Sequence, residues 1–373
     1  SIKNMFDNTE IGFKSKSNKS LKKSKNLFKL LSLSFLVKVG KFLLIISNKL
    51  KIPTNKIIKN LFFDQFCGGE TIEECKDCIN QLKKFNIGSI LDYSVEGNIN
   101  NAKNTKKEII NTINAAKKDN NLTFCVFKMS ALTKFNSDKR NLDLINDICQ
   151  VAKDNLVPIL IDAEESWIQD EIDIITENLM AKFNKETTIV FHTIQLYRKD
   201  RLDYLKKIHK IAKAKNYKIG LKLVRGAYME KERNRAIKYG YESPIHNTKK
   251  DSDKDFNLAL EYCINNINEI EIFLGTHNEN SCILLTELMI KNNLKKNDSR
   301  IHFSQLLGMS DHISFNLSEK GYNVSKYVPF GPIKEMIPYL IRRAEENSSV
   351  KGQTTRELSL LNKELERRKR QSI

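Results

Sequence analysis

The chain has 373 residues, 40% of them hydrophobic, and a formal net charge of +18. A chain this apolar can bury a sizeable core, so global disorder is excluded; six prolines and fourteen glycines exclude a collagen-like or linker-dominated polymer. No run of about 18 uninterrupted apolar residues is present, which excludes an ordinary transmembrane helix. The 63 basic residues are 50 lysines and 13 arginines, the first at Arg140, and they are spread along the chain. Phosphate-positioning surfaces are clustered and arginine-rich, so the charge reads as a lysine-biased solvated surface, not as a nucleic-acid footprint.

Residues 1–25 are rich in Lys, Ser and Asn and are expected to be poorly ordered. They lack both the apolar core of a signal peptide and the Arg-rich amphipathic pattern of a transit peptide. From residue 26 the character changes: Leu27, Phe28, Leu31, Phe35, Leu36, Val39, Phe42, Leu43 and Ile46 recur at helical spacing, interrupted by lysines and ended by Pro53. Such a helix either packs on the main domain or lies on a membrane through its apolar face and its lysines. Residues 1–63 are therefore read as an N-terminal extension. Seven cysteines form no disulfide framework, and Cys75 and Cys78 are a lone CxxC without the second ligand pair that zinc needs. No metal is expected, and a reducing, cytoplasmic compartment fits best.

Residues 64–350 alternate short apolar runs with longer amphipathic helices. The runs are 87–94, 122–130, 157–164, 187–195, 219–226, 270–278, 300–308 and 326–331. The fifth and sixth start 51 residues apart, room for an insertion. Eight strand–helix units predict an α/β fold, a (β/α)8 TIM-type barrel. The rival, a doubly wound sheet, lacks its GxGxxG turn. In a barrel the chemistry sits at the C-terminal strand ends. Those ends carry Asp92, Tyr93, Lys128, Asp162, Ala163, Glu164, Gln195, Lys222 to Tyr228, Thr276, His277, Asn278, Gln305 and Tyr327. Lys128, Asp162 and Lys222 stand out, because each follows or interrupts a run that should be buried. After the eighth strand, Tyr339, Arg342, Arg343 and Glu346 share one helical face. Adjacent guanidiniums suit a carboxylate or phosphate, and Glu346 is expected to hold the Arg342 rotamer. From spacing alone, a surface helix with an ordinary ion pair fits equally well. Residues 351–373 form a basic helical tail, Arg367-Arg-Lys-Arg370 at its end.

Seven motifs, in order over residues 60–350, resemble those of the monofunctional proline dehydrogenases. They are Lys128-Met-Ser-Ala-Leu132, Asp162-Ala-Glu164, Gln195-Leu-Tyr197, Lys222-Leu-Val-Arg-Gly-Ala-Tyr228, Gly275-Thr-His-Asn278, Gln305-Leu-Leu-Gly-Met309, and Tyr327-Val-Pro-Phe-Gly331 with Tyr339 to Glu346. The resemblance implies a distorted barrel and an FAD-dependent oxidation of L-proline to Δ1-pyrroline-5-carboxylate. Electrons would pass to a membrane quinone, and a separate pyrroline-5-carboxylate dehydrogenase would take the product. It implies that Lys128, Arg342 and Arg343 bind the proline carboxylate while Tyr228, Tyr327 and Tyr339 enclose the ring. It gives Asp162 and Lys222 catalytic positions, Asp162 in an orienting role. Ala163, Gln195, Arg225, Gly226, Ala227, Lys249, Thr276 and His277 would contact the flavin. One departure concerns Lys222 and Arg225: many bacterial members carry these two cations in the opposite order, so charge is kept while donor geometry changes. Residues 26–52 and the basic tail offer contacts with the inner face of the cytoplasmic membrane. Two alternatives stand beside this reading: hydroxyproline dehydrogenation, disfavoured because Tyr327 would crowd a 4-hydroxyl, and a non-redox basic barrel that binds nucleic acid.

Overall fold

The structure is a computed structural model that describes residues 2–95, 99–137, 141–349 and 351–372; Arg140 and Val350, the end assigned to the barrel region, lie outside the described residues. Eight strands close into a barrel in chain order: β1 (Ile87–Tyr93), β2 (Leu122–Phe127), β3 (Ile159–Ile161), β4 (Val190–Gln195), β5 (Ile219–Val224), β6 (Ile270–Gly275), β7 (Ile301–Leu306) and β8 (Val324–Phe330). Each lies inside or across one of the eight runs expected from the sequence. Pairing from β2 through β7 is parallel, as strand–helix alternation requires. The long interval after β5 holds two helices, Met229–Tyr239 and Lys249–Asn265, in place of one.

The chain divides into two compact units, residues 97–304 with 321–325, and residues 1–96 with 305–320 and 326–373. In the first, the strand interiors are filled by aromatic side chains. Phe124 meets Phe191, Phe273 and the His302 ring edge-on, with centroids 5.3, 5.0 and 4.8 Å away. Gly220 stands in register beside Phe191, where a Cβ would sit 2.6 Å from the phenyl ring. The absence of a side chain at 220 is therefore what lets the ring fill the barrel.

The second unit has its own core, built from Phe13, Leu21, Phe28 and Leu31 with Phe63, Phe66, Met336, Leu340, Leu360 and Leu361. Residues 2–25, expected to be poorly ordered, instead form a 3-10 turn, the helix Thr9–Gly12 and the first turns of the helix Asn18–Leu31. A few apolar residues at the right spacing suffice: Phe6, Phe13, Leu21 and Leu31 are all buried. Ser17 caps the longer helix by accepting from the Ser20 N–H at 3.1 Å. The basic tail is likewise docked in part. In helix Lys351–Gln371, Arg368 donates to the carbonyls of Phe13 and Lys16 at 2.9 and 2.7 Å, and Arg367 and Arg368 both bind Glu364. Lys326 of β8 is wholly buried and meets Asp311 at 2.9 Å while donating to the Met309 carbonyl. That ion pair ties the strand carrying Tyr327 to the start of the helix that follows β7.

Candidate active site

Three strand ends in the first unit bring one carboxylate between two ammonium groups. Lys128 follows β2, Asp162 follows β3, and Lys222 lies within β5. Lys128 Nζ donates to Asp162 Oδ2 at 2.6 Å and Lys222 Nζ to Oδ1 at 2.8 Å. Burial alone would raise the Asp162 pKa, but the two cations outweigh it and hold the carboxyl at about 2. Asp162 is therefore an anion at every physiological pH, suited to orienting two cations and unsuited to taking a proton.

The turn bearing Lys128 is held by a second buried carboxylate, Glu164, which the strand-end pattern places here without a role. Glu164 accepts from the Ser130 N–H at 3.1 Å and from the Ser130 hydroxyl, and its own N–H donates to Gln169 at 2.7 Å. Burial raises the Glu164 pKa. Gln169 in turn donates to Asp173, which also binds His192 and Arg201. The ends of β2 and β3 are thus fixed to each other from behind. The signal was available: Ser130 and Glu164 each stand two positions beyond the paired Lys128 and Asp162.

Of the residues expected around a flavin, all but Lys249 lie at the ends of β3 to β6, and Lys249 opens the helix Lys249–Asn265. Gln195 ends β4, and its Oε1 is buried without a hydrogen-bond partner, as a group awaiting a donor would be. Arg225 is locked in place: it donates to Asp253 at 2.8 Å, Thr276 at 3.1 Å and Ser281 at 3.0 Å, and lies 4.2 Å from the Phe256 ring centroid. Lys249 binds the other oxygen of Asp253 at 2.7 Å, so Asp253 joins the two cations. Thr276 and Ala163 are buried, His277 and Tyr228 half-buried, and Ala227 exposed. The Lys222/Arg225 departure now has a structural content: Lys222 belongs to the Asp162 set and Arg225 to the Asp253 set. Gly226 has φ +143°, and a Cβ there would lie 2.4 Å from the Tyr197 ring. Gly226→Ala is expected to destabilise the protein by about 1–3 kcal/mol and to weaken flavin retention. Thermal melting and flavin content check this; an unshifted melt removes the constraint.

The other unit carries the remaining candidates. Tyr327 lies on β8 and Tyr339 on helix Ile333–Ser349, both buried. The Tyr339 hydroxyl is buried without a hydrogen-bond partner, and the Arg343 guanidinium sits 5.1 Å from the Tyr339 ring centroid. Glu346 contacts Arg343 at 3.1 Å. That contact spans i to i+3 on the helix. Burial and the adjacent Arg343 lower the Arg342 pKa to about 10. An anion placed at this pair would relieve that repulsion, which is the electrostatic signature of a carboxylate or phosphate site.

The Proline dehydrogenase family model matches residues 75–356. A mitochondrial proline dehydrogenase 1 from Dictyostelium discoideum is 33% identical over 85% of this chain and 66% of its own length. This chain belongs to the proline dehydrogenase family. That family is one of oxidoreductases and flavoproteins. Proline dehydrogenase 2 from Arabidopsis thaliana is 31% identical, covering 84% of this chain and 79% of its own. A hydroxyproline dehydrogenase from Xenopus laevis is 27% identical over 95% and 88%. Among solved structures, proline utilization A from Bdellovibrio bacteriovorus superposes with a TM-score of 0.73 at 20% identity, covering 91% of this chain and 38% of that one. That likeness supports the barrel fold. The chain thus spans just under two thirds of the Dictyostelium relative and well under half of the bacterial one.

Proposed function

We propose that this protein oxidises L-proline to Δ1-pyrroline-5-carboxylate with FAD as its cofactor and passes the electrons to a membrane quinone. The observation that carries the reading is Asp162 held between Lys128 and Lys222 at the strand ends of a proline dehydrogenase family barrel. The orphan Gln195 Oε1, the fixed Arg225 and the side-chain-free position 226 fit a flavin. Gln195, Arg225, Gly226, Ala227, Thr276, His277, Ala163 and Lys249 would hold it. Bound there, FAD supplies the acceptor for the hydride that leaves proline C5.

Lys128, Arg342 and Arg343 bind the substrate carboxylate, and their charge fixes which end of the ring faces them. Tyr228, Tyr327 and Tyr339 present aromatic faces to the apolar ring and keep water from it. Oxidation needs the ring nitrogen uncharged. Cations nearby lower the amine pKa by like-charge repulsion, so the chain's own basic residues promote loss of that proton to solvent. Asp162 offsets part of this field and orients Lys128 and Lys222. A reducing, cytoplasmic setting is part of the same proposal, and a dehydrogenase activity consumes the product. An absorbance spectrum before and after anaerobic L-proline tests the proposal. Flavin bands that bleach on proline addition are expected; a colourless protein, or bands indifferent to proline, would overturn it. Similarity to the Xenopus hydroxyproline dehydrogenase gives a second reading, 4-hydroxyproline as substrate. The buried Tyr327 argues for the unsubstituted ring, and turnover on the two compounds separates them.

A further inference from the structure

The helix Ser34–Lys49 has no buried residue. Only its Val37 and Leu44 edge packs on the core of its unit, two turns apart on one side. Much of its outward surface is apolar where a water-facing helix would be polar: Phe35 and Phe42 are 73% and 63% exposed, and Leu36, Val39 and Leu43 are exposed as well. The surface continues past the helix through the exposed Leu50 and Ile52. Contiguous apolar exposure on this scale marks a contact surface.

The charge around it identifies the contact. From residue 11 to residue 63 the chain has thirteen lysines and no Asp or Glu. Lys38, Lys49, Lys51, Lys56 and Lys59 are exposed around the apolar patch. A second copy of this chain would bring the same positive charge to the contact and be repelled. Nucleic acid would accept the lysines and leave the phenylalanines in water. A surface that is anionic outside and apolar beneath satisfies both.

We propose that Ser34–Lys49, with the segment through Ile52, is an interfacial anchor that lays Phe35, Leu36, Phe42 and Leu43 into an anionic lipid bilayer while its lysines meet the headgroups. It does not span. No single described helix is long and apolar enough to cross, and the preceding helix Asn18–Leu31 turns away at 90°. Sixteen residues of helix reach about 24 Å against a hydrocarbon thickness of about 30 Å. The docking of Arg367 and Arg368 within the protein leaves this helix, not the basic tail, as the membrane-facing element.

Flotation of the full chain with phosphatidylcholine vesicles, with or without phosphatidylglycerol, tests the inference. The protein should float with the anionic vesicles and far less with the neutral ones, and high salt should release part of it. Phe42→Ser with Leu43→Ser should lower partitioning about tenfold or more. Lys49→Glu with Lys51→Glu should lower it by a similar factor on anionic vesicles only. Retention of wild-type protein in the soluble fraction overturns the proposal. So does undiminished binding by the serine pair, or a dimer that the serine pair dissociates. Both pairs lie outside the proposed substrate and flavin sets, so proline-dependent bleaching in solution is unchanged by them. Failure of the anchor is thereby distinguishable from failure of the proline reading.

Discussion

Asp162→Ala is expected to slow flavin reduction by proline about 100-fold or more and to cost about 3 kcal/mol of stability. The substitution removes a carboxylate that both the Lys128 and Lys222 ammoniums contact, at 2.6 and 2.8 Å, inside a mostly buried setting. The two cations then repel each other, and Lys128 loses the partner that aims it. Asp162→Asn keeps the shape and removes the charge, so it separates the two contributions: the melting loss should persist while part of the rate returns. A flavin reduction rate in Asp162→Ala equal to that of the wild type takes Asp162 out of the chemistry altogether. The same group sets an acid limit. Its folded pKa, about 2, lies below the 3.8 of a free aspartate, so the folded state binds this proton less readily than the unfolded chain. The resulting stability is fully present above the unfolded value and is lost as pH falls from 3.8 through about 2. Asp173, held equally low by His192 and Arg201 against its burial, adds to the effect in the same window. Unfolding monitored from pH 6 downwards should therefore steepen there, about 2 kcal/mol of it assignable to Asp162 and absent in Asp162→Asn.

Lys128→Met and Arg343→Met should each lower kcat/KM for proline by about 10- to 100-fold, mostly through KM. Each removes a cation proposed for the substrate carboxylate while keeping an unbranched apolar stem of similar reach. Charge-assisted hydrogen bonds contribute about 1.5–3 kcal/mol each, which sets that range. The decisive comparison is with pyrrolidine, which has the ring and the amine but no carboxylate. The wild-type preference for proline over pyrrolidine should shrink in both variants, and in the double variant by less than the product of the two effects, because groups sharing one ligand are not additive. An undiminished preference would assign the carboxylate to other residues. Arg342→Lys tests the forked geometry: the charge survives, the paired donors do not, and KM should rise about tenfold.

The barrel was legible in the sequence because burial on both faces of a parallel strand demands unbroken apolar runs, and eight such runs stand out between helices. Lys128, Asp162 and Lys222 were legible for the same reason, as charges where such runs should have stayed apolar. What escaped the reading depends on contacts distant in the chain. Phe6 and Phe13 are too sparse to announce a core, yet they are buried once residues 2–31 fold. Lys326 opens the eighth apolar run and is wholly enclosed, because its partner Asp311 comes from the start of the helix that follows β7. Arg342 and Arg343 are both one helical turn from Glu346 by spacing, and the contact of Glu346 with Arg343 is visible only in the folded chain. Asp253 carries no motif, and only its two cations reveal it as the anchor of Arg225 and Lys249.

The hold of Arg368 on the Phe13 and Lys16 carbonyls makes two segments more than 350 positions apart depend on each other. A protease cut ahead of the last described helix would release that helix and also loosen the segment at residues 13–16, because its clamp is lost at the same moment. A change that displaces that guanidinium will be felt at residues 13–16, far away along the chain.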